Sequence, residues 1–463
     1  MTKAVGLLFQ AAFAFAAALA IQDNIALAAI CALAVSVGSF FVARKTNSMF
    51  EMMLAFAVFN YLFFAHAALR TRDFDEVAID AQVIVRLLCG VSILAVVATK
   101  VMAQGSLVRP RSGEGLLLLF GVYVIVAAPL SLVPTYSFAS GVLWFSLVVG
   151  IIFSVRKLGA ANTFGVIAYA MLSLLIVSAS MSWVAPDAAE IVDFAGGQRV
   201  YRFKGAFLHP IQLGTGMSVL AVYCLYRLME QRRSLIVRTL YLLLLVSAFW
   251  MMQEAQSRVS MLVTFMGGMY LLLARSRAIG IGLLLWSGAI AVTVVLGLGI
   301  GEVASRFTRS GDIRELLTFT NRTPVWDYSL NFVEKNPWFG YGFGSTRSLF
   351  SDAPSQFGWN VAHTHNLVIQ GLIEVGISGL CLLFFVIIRI IPSIFTFRNT
   401  IVGIVSIQIL LRGMTEVVLF FYIPGVMLAM LALAISILAQ DQLSTRNIFP
   451  KLSWKTHELF QVH

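Results

Sequence analysis

Long apolar runs separated by short polar segments fill most of the chain. A membrane-spanning helix needs roughly 20 such residues, and roughly fourteen runs of about that length are present. We predict helices over roughly 4–21, 24–43, 50–69, 79–99, 115–133, 137–155, 162–184, 206–226, 235–252, 259–274, 278–300, 366–391, 399–412 and 417–439. The pattern therefore predicts an all-α polytopic membrane protein with about 12–14 transmembrane helices.

Lysine and arginine cluster in every second polar segment, as at Arg156 and Lys157. Cytoplasmic loops of membrane proteins carry this excess, so we expect the N-terminus inside and a multi-pass protein of the cell inner membrane. The first run ends in small residues that a signal peptidase can cleave, although an uncleaved first helix is favoured.

Two polar segments on the predicted outer side are long, at roughly 185–205 and 301–365. The second holds a predicted helix that begins near Pro324 and ends at Lys335, because Asn336 and the proline after it stop a helix. We therefore divide the chain into N-terminal transmembrane helices, transmembrane helices with arginine motifs at their outer ends, a large and partly helical extracytoplasmic loop, C-terminal transmembrane helices, and a cytoplasmic tail. These segments are 1–184, 185–300, 301–365, 366–440 and 441–463.

The amino-acid composition excludes several classes of protein. Of the 463 residues, 59% are hydrophobic and 12% are charged, whereas soluble domains average roughly 45–50% and about 25%. This excludes a soluble enzyme and a disordered chain. The net charge of +11 is spread over short clusters between apolar runs, which indicates membrane orientation and no nucleic-acid partner. The cysteines lie inside apolar runs and form no metal or disulfide pattern; they are Cys31, Cys89, Cys224 and Cys381.

Four basic residues lie at the predicted outer ends of helices, against the orientation rule. They are Arg199, Arg202, Lys204 and Arg258. A guanidinium binds phosphate oxygens through two parallel hydrogen bonds and stays charged, so these residues predict an anion site. In an apolar setting, a diphosphate carried on a lipid is the natural ligand. The alternative is simple anchoring to lipid headgroups.

A second candidate site closes the long outer loop, at His363, His365 and Asn366. Imidazole accepts a proton near neutral pH, which favours a general base; a zinc site and a plain helix cap at Asn366 are the alternatives. Below it, Gln370 and Glu374 continue a polar stripe along the next helix. We expect His363, Asn366 and Glu374 to bind substrate.

Three further polar features have structural interpretations of their own. Arg412 and Glu416 are four residues apart, which favours a structural ion pair. Arg86 lies inside a predicted span and needs a partner. Asp73 and Asp75 follow the third span, where an Asp-x-Asp pattern is able to hold a divalent cation but more often lies in a solvated loop.

Several motifs together resemble the O-antigen ligase and polymerase superfamily. They are Asn321-Arg322-Thr323-Pro324-Val325-Trp326, Asn336-Pro337-Trp338-Phe339-Gly340-Tyr341-Gly342-Phe343-Gly344, His363-Thr364-His365-Asn366, Glu374-Val375-Gly376, and upstream Arg202-Phe203-Lys204-Gly205 and Gln256-Ser257-Arg258. The resemblance covers about 200–380. Asn321 stands where the family pattern has glycine, and the segment between Arg258 and His365 is long, which leaves acceptor specificity open.

The resemblance implies a GT-C-like glycosyltransferase that acts outside the cytoplasmic membrane by metal-independent inverting transfer, without a cofactor. Its donor would be an undecaprenyl-diphosphate glycan and its acceptor a saccharide, with a chain-length regulator and a flippase as further partners. Arg258 and Arg202 would then bind the diphosphate and His365 would act as base. Arg322 and Trp326 would line the sugar-binding loop.

The activities compatible with this resemblance differ in their acceptor. A polymerase would join lipid-linked repeat units of O-antigen or exopolysaccharide, and we prefer it because residues 321–342 look closer to exopolysaccharide polymerases. An O-antigen ligase would move the finished glycan to lipopolysaccharide core. A lipid or glycan flippase and a non-catalytic assembly protein are alternatives of other classes, although the long outer loop and the absence of repeated halves count against a flippase.

Overall fold

The computed structural model describes residues 2–21, 24–68, 80–104, 110–195, 198–230, 234–298, 322–351, 357, 361–420 and 423–448. The aspartates at 73 and 75 and most of the predicted tail lie outside these residues. The first seven helices are α1 (Thr2–Ile21), α2 (Ile25–Ala43), α3 (Met49–His66), α4 (Ala81–Gln104), α5 (Ser112–Ala127), α6 (Pro134–Leu158) and α7 (Ala160–Val184).

A short helix and a hairpin follow, and then four more long helices. They are α8 (Pro186–Ala189), β1 (Glu190–Ala195), β2 (Gln198–Phe203), α9 (Pro210–Leu228), α10 (Leu235–Glu254), α11 (Arg258–Arg275) and α12 (Arg277–Leu298). The remaining elements are α13 (Arg322–Lys335), α14 (Thr346–Leu349), α15 (Leu367–Ile390), α16 (Pro392–Thr396), α17 (Thr400–Gly413) and α18 (Val426–Ile448).

Local chemistry sets many of the helix starts. The side chains of Asn24, Ser48 and Asn399 accept hydrogen bonds from backbone N–H groups of the first turns of α2, α3 and α17. Such caps satisfy donors that have no partner inside the helix. Pro134 and Pro210 begin α6 and α9, where the missing N–H of proline costs nothing.

The prediction of an all-α polytopic membrane protein is confirmed. Among the described residues, ten helices are long and apolar enough to cross a membrane, and two shorter apolar helices lie at Thr400–Gly413 and Val426–Asp441. Each predicted run overlaps a helix. The last run was predicted to begin too early, because residues 414–420 form turns and the helix starts only after Pro424.

The helices pack around a buried centre made by α3, α6, α7, α9 and α18. Helix α7 packs against α2, α3 and α9, while α6 packs against α4, α5 and α18. Large buried side chains fill this centre, among them Phe59, Phe164 and Trp144. Arg86 lies at its edge and donates to the carbonyl oxygens of Phe64 (2.9 Å) and Ala67 (3.2 Å), so the C-terminal end of α3 is the partner that this buried arginine needed.

The segment after α7 forms a two-stranded antiparallel hairpin, where the sequence pattern predicted no helix or strand. Arg202 pairs in register with Ile191, and Arg199 pairs with Phe194. Successive side chains of a strand point to opposite faces, so Arg199 and Arg202 face opposite ways. Arg199 is exposed, whereas Arg202 is buried against the helices.

Helix α15 is interrupted at Gly376, and a glycine-rich turn from the preceding loop fills the gap. Gly376 adopts φ 63°, ψ −172°. The N–H groups of Tyr341 and Gly342 donate to the carbonyl oxygens of Ile373 (2.8 Å) and Glu374 (2.9 Å). In return, the N–H groups of 377 and 378 donate to the carbonyl oxygens of 337 and 338, at 2.8 and 3.1 Å. The interrupted helix therefore keeps its backbone groups paired, as an apolar environment requires.

We expect Gly376→Ala to destabilise the protein. A Cβ at this position would lie 2.4 Å from the backbone of Trp338, at a φ that L-residues disfavour. Left-handed strain and overpacking together predict a loss of roughly 2–4 kcal/mol, measured as a lower yield of folded protein and a lower melting temperature in detergent. Gly115→Ala is the matched control, because a Cβ there meets nothing within 4 Å. Equal stability of the two variants would contradict the close packing of the glycine-rich turn against Gly376.

Candidate active site

The loop that carries the two histidines is held between α13 and α15. The Trp326 indole Nε1 donates to the carbonyl oxygen of Thr364 (2.8 Å). Asn366 caps α15, since its side-chain oxygen accepts from the N–H groups of 368 and 369 at 2.9 and 3.1 Å. The rings of His363 and His365 are 4.0 Å apart between centroids. Both histidines are therefore presented side by side at the N-terminal end of α15.

His365 adopts a backbone conformation that is rare for a non-glycine residue, with φ 54°. Conformations of this kind persist only where the surroundings impose them, and they cluster at functional sites. Here, the turn between Thr364 and the cap residue Asn366 imposes it, because the Thr364 hydroxyl donates to the Asn366 carbonyl oxygen (3.0 Å). This turn therefore fixes the backbone from which the imidazole projects.

A carboxylate from the C-terminal end of α17 approaches the same loop. The Arg322 guanidinium donates to Glu416 Oε1 (2.9 Å) and to the carbonyl oxygen of Thr415. The other carboxylate oxygen, Glu416 Oε2, lies 3.6 Å from His365 Nδ1. The side chain of Glu416 is only 4% exposed, against 14% for Arg322 and 15% for His365. The carboxylate of Glu416 thus lies between the guanidinium of Arg322 and the imidazole of His365.

Beneath these side chains, a fully buried polar cluster supports the loop. Gln370 Oε1 accepts from the backbone N–H of Thr364 (2.9 Å), which lies between the two histidines. Gln370 Nε2 donates to Thr346 Oγ1 and Glu374 Oε1, both at 2.6 Å, and the Thr346 hydroxyl donates to the same Glu374 oxygen (2.9 Å). Gln370, Glu374 and Thr346 have no exposed surface. Glu374, predicted as a substrate-binding residue, therefore lies under the loop.

The arginine motifs meet at the start of α11. The Arg202 guanidinium donates through Nε (3.2 Å) and Nη2 (2.9 Å) to the carbonyl oxygen of Ala255 and is 1% exposed. Ala255 begins the turn that leads through Gln256, at φ 49°, into α11. Arg258 is the first residue of α11 and is half-buried. Arg202 thus holds the turn that leads into Arg258 and is itself buried.

Arg412 connects this arginine end to the histidine loop. Its Nη1 donates to the hydroxyls of Thr215 (3.1 Å) and Ser260 (3.0 Å), and Ser260 lies in the first turn of α11. The N–H of Glu416 donates to the carbonyl oxygen of Arg412 (2.6 Å). The expected Arg412–Glu416 ion pair is replaced by an Arg322–Glu416 pair. The N-terminal ends of α11 and α15 and the C-terminal end of α17 therefore lie at one end of the bundle.

Burial changes the acid–base properties of two groups at this end. Desolvation lowers the pKa of Lys204, the basic residue that follows the hairpin. Two effects hold the pKa of His363 well below its usual value: desolvation is the larger, and the charge of the neighbouring His365 is the second. His363 is therefore neutral at physiological pH. Within the described residues, no group of three or more histidine, cysteine, aspartate or glutamate side chains is arranged to hold a metal ion.

Comparison with known proteins supports the resemblance seen in the motifs. The sequence model of a protein family described as O-antigen ligase matches residues 240–384, about a third of the chain. The predicted resemblance to the O-antigen ligase and polymerase superfamily is confirmed over that segment. It contains α11, α13, the glycine-rich turn and both histidines. Among curated proteins, none matches the chain. The match supports glycosyl transfer of the ligase or polymerase type in a multi-pass membrane protein.

We expect His363→Asn to reduce the sensitivity of the protein to acid. Because the folded state disfavours protonation of His363, the unfolded state binds the extra proton, and stability falls as the pH drops below about 6.5. The slope for one such group is at most about 1.4 kcal/mol per pH unit. Melting temperatures in detergent should therefore fall less steeply between pH 7 and 5 in the variant, while pH 8 serves as the reference. An equal fall in melting temperature with pH in both proteins would refute the conclusion that His363 is neutral in the folded state.

Proposed function

We propose that the protein transfers a glycan from undecaprenyl diphosphate to a sugar hydroxyl at the outer side of the inner membrane, polymerising O-antigen or exopolysaccharide repeat units. One observation carries the proposal: Arg412 and Glu416 tie the start of α11, where Arg258 lies, to the loop that presents His365. A cation for a leaving diphosphate and a base for an acceptor hydroxyl are the two groups that such a reaction needs.

The reaction follows from these two groups. The acceptor hydroxyl gives its proton to His365 as its oxygen bonds to the anomeric carbon. The bond from that carbon to the diphosphate oxygen breaks at the same time, and its electron pair leaves with the diphosphate. Arg258 stabilises this negative charge in a site of low dielectric. Attack from the side opposite the leaving group inverts the anomeric centre.

The remaining predicted residues divide into contact and support roles. Arg322, Trp326, His363 and Asn366 surround the base, and we assign them to the acceptor sugar and to the shape of its site. Arg202 supports Arg258 through the Ala255 carbonyl. We assign Arg199, on the hairpin, and Lys204, just after it, to the charged part of the donor. We assign Glu374 to the support of the histidine loop.

We expect His365→Ala and Arg258→Ala each to lower glycan extension by at least about a hundredfold, because a positioned base alone contributes roughly 10²–10⁴ in rate. Arg258→Lys should also be impaired, since a point charge lacks the planar fork of guanidinium. The assay is extension of a lipid-linked repeat unit by purified protein in liposomes. Arg275→Ala, at the exposed far end of the same helix, is the control. Wild-type chain length in His365→Ala or Arg258→Ala would refute the mechanism.

The same liposomes distinguish polymerase from ligase. With a lipid-linked repeat unit as the sole substrate, we expect a ladder of products that differ by one unit each. Transfer that needs a separate lipopolysaccharide-core acceptor would identify a ligase. Movement of the lipid-linked glycan between leaflets, without a new glycosidic bond, would identify a flippase. Each outcome is read from the same gel and leaflet-accessibility measurement.

A further inference from the structure

The C-terminal end of α17 contributes a carboxylate that the family motifs do not include. Glu416 lies 51 residues after His365 in the sequence, yet its two carboxylate oxygens face different partners. Oε1 accepts from Arg322 at 2.9 Å, and Oε2 faces His365 Nδ1 at 3.6 Å. We propose that Glu416 is a positioning residue for His365, an inference that rests on the proposed function.

The main observation is that Oε1 of Glu416 accepts a hydrogen bond, whereas Oε2 does not. Oε2 of Glu416 is buried and accepts no hydrogen bond from the described residues. A buried carboxylate oxygen without a donor is costly, and charged groups raise that cost. His365 Nδ1 is within ion-pair range but too far for a hydrogen bond. Shortening this contact by less than 1 Å would give Oε2 its donor, and catalytic hydrogen bonds commonly close only when substrate binds.

The consequence for His365 concerns the choice of ring nitrogen. When Nδ1–H points at a carboxylate, the neutral ring keeps its lone pair on Nε2. Nε2 then accepts the proton of the sugar hydroxyl, and the carboxylate stabilises the imidazolium that forms. Two contacts hold Glu416 in the required position, since its N–H donates to the Arg412 carbonyl oxygen and the guanidinium of Arg412 is fastened to α9 and α11.

The charged and titratable neighbours of His365 are distributed over several elements. His363, from its own loop, is held neutral by burial, which lowers its pKa. The cations Arg322 on α13 and Arg347 on α14 oppose protonation of the loop, and both act on His363. Arg412 on α17 is close enough to Glu416 for their charges to interact. Glu416 is the carboxylate within 4 Å of the base among the described residues. Its negative charge therefore favours the protonated ring, whereas the cations Arg322 and Arg347 act in the opposite direction on the histidine loop.

The test is the substitution Glu416→Gln in full-length protein in liposomes, with extension of a lipid-linked repeat unit as the assay. Glutamine keeps the shape and the oxygen that Arg322 uses, but it removes the charge. We expect kcat to fall by roughly ten- to a hundredfold, with little change in KM for the donor, because a general base as a whole contributes about 10²–10⁴. The acidic limb of the pH–rate profile should move to lower pH, since a neutral amide no longer stabilises the imidazolium.

Two comparisons separate positioning from a merely structural role. His365→Ala/Glu416→Gln should be no slower than His365→Ala alone, because a residue that acts through the base has nothing to act on once the base is gone. Glu416→Asp should recover part of the rate and the wild-type pH profile. Glu334→Gln, exposed on α13, is the matched control and should match the wild type.

The outcomes distinguish this inference from the proposed function. If His365→Ala remains active, the base itself is wrong and the proposed function fails. If His365→Ala is inactive while Glu416→Gln keeps the wild-type rate and pH profile, the base stands and the positioning role is wrong. An additive loss in the double variant would also overturn the inference, because it would mean that Glu416 supports the fold independently of His365.

Discussion

The structure depends on the requirement that backbone groups inside a membrane protein find partners within the protein. Helix α15 violates helical geometry at Gly376, and the glycine-rich turn at 337–344 supplies the missing hydrogen bonds from outside the helix. Because this exchange runs in both directions, loss of the turn would break four hydrogen bonds and leave four backbone groups of the helix unpaired. The segment before α15 is therefore fastened to the bundle at this turn, and α13 and the histidine loop are positioned from that anchor.

A second constraint acts on the charged side chains that this anchoring brings inward. Arg202, Arg412 and Glu416 are almost fully buried, and isolated charges at such positions are strongly unfavourable. Each has at least one polar partner on a neighbouring element: a backbone carbonyl at the head of α11, hydroxyls of α9 and α11, and the guanidinium of Arg322. The need to pair buried charges therefore links three helix ends, and the link coincides with the proposed chemistry.

The sequence predicted the helical segments well, because apolar runs and basic clusters report directly on membrane crossing and orientation. It also predicted α13 and the turn after it, since proline and glycine act locally. It did not reveal the hairpin that directs Arg199 away from Arg202, because that segment is short and lacks a clear alternation. Nor did it reveal the partner of Glu416, since spacing pairs it with Arg412 while three-dimensional packing pairs it with Arg322. The only signal for Glu416 in the sequence was its place as an acidic residue just after an apolar run.

The order of the turn and the interrupted helix along the chain has a consequence for biogenesis. Residues 337–344 are synthesised before residues 373–378, so the segment that completes the helix has already emerged when the helix itself reaches the membrane. The C-terminal half of the helix gains the hydrogen bonds of residues 377 and 378 only when the preceding turn packs against it. Correct folding of this helix is thereby coupled to the folding of the segment before it, and a chain in which the turn had not docked would leave these backbone groups unpaired.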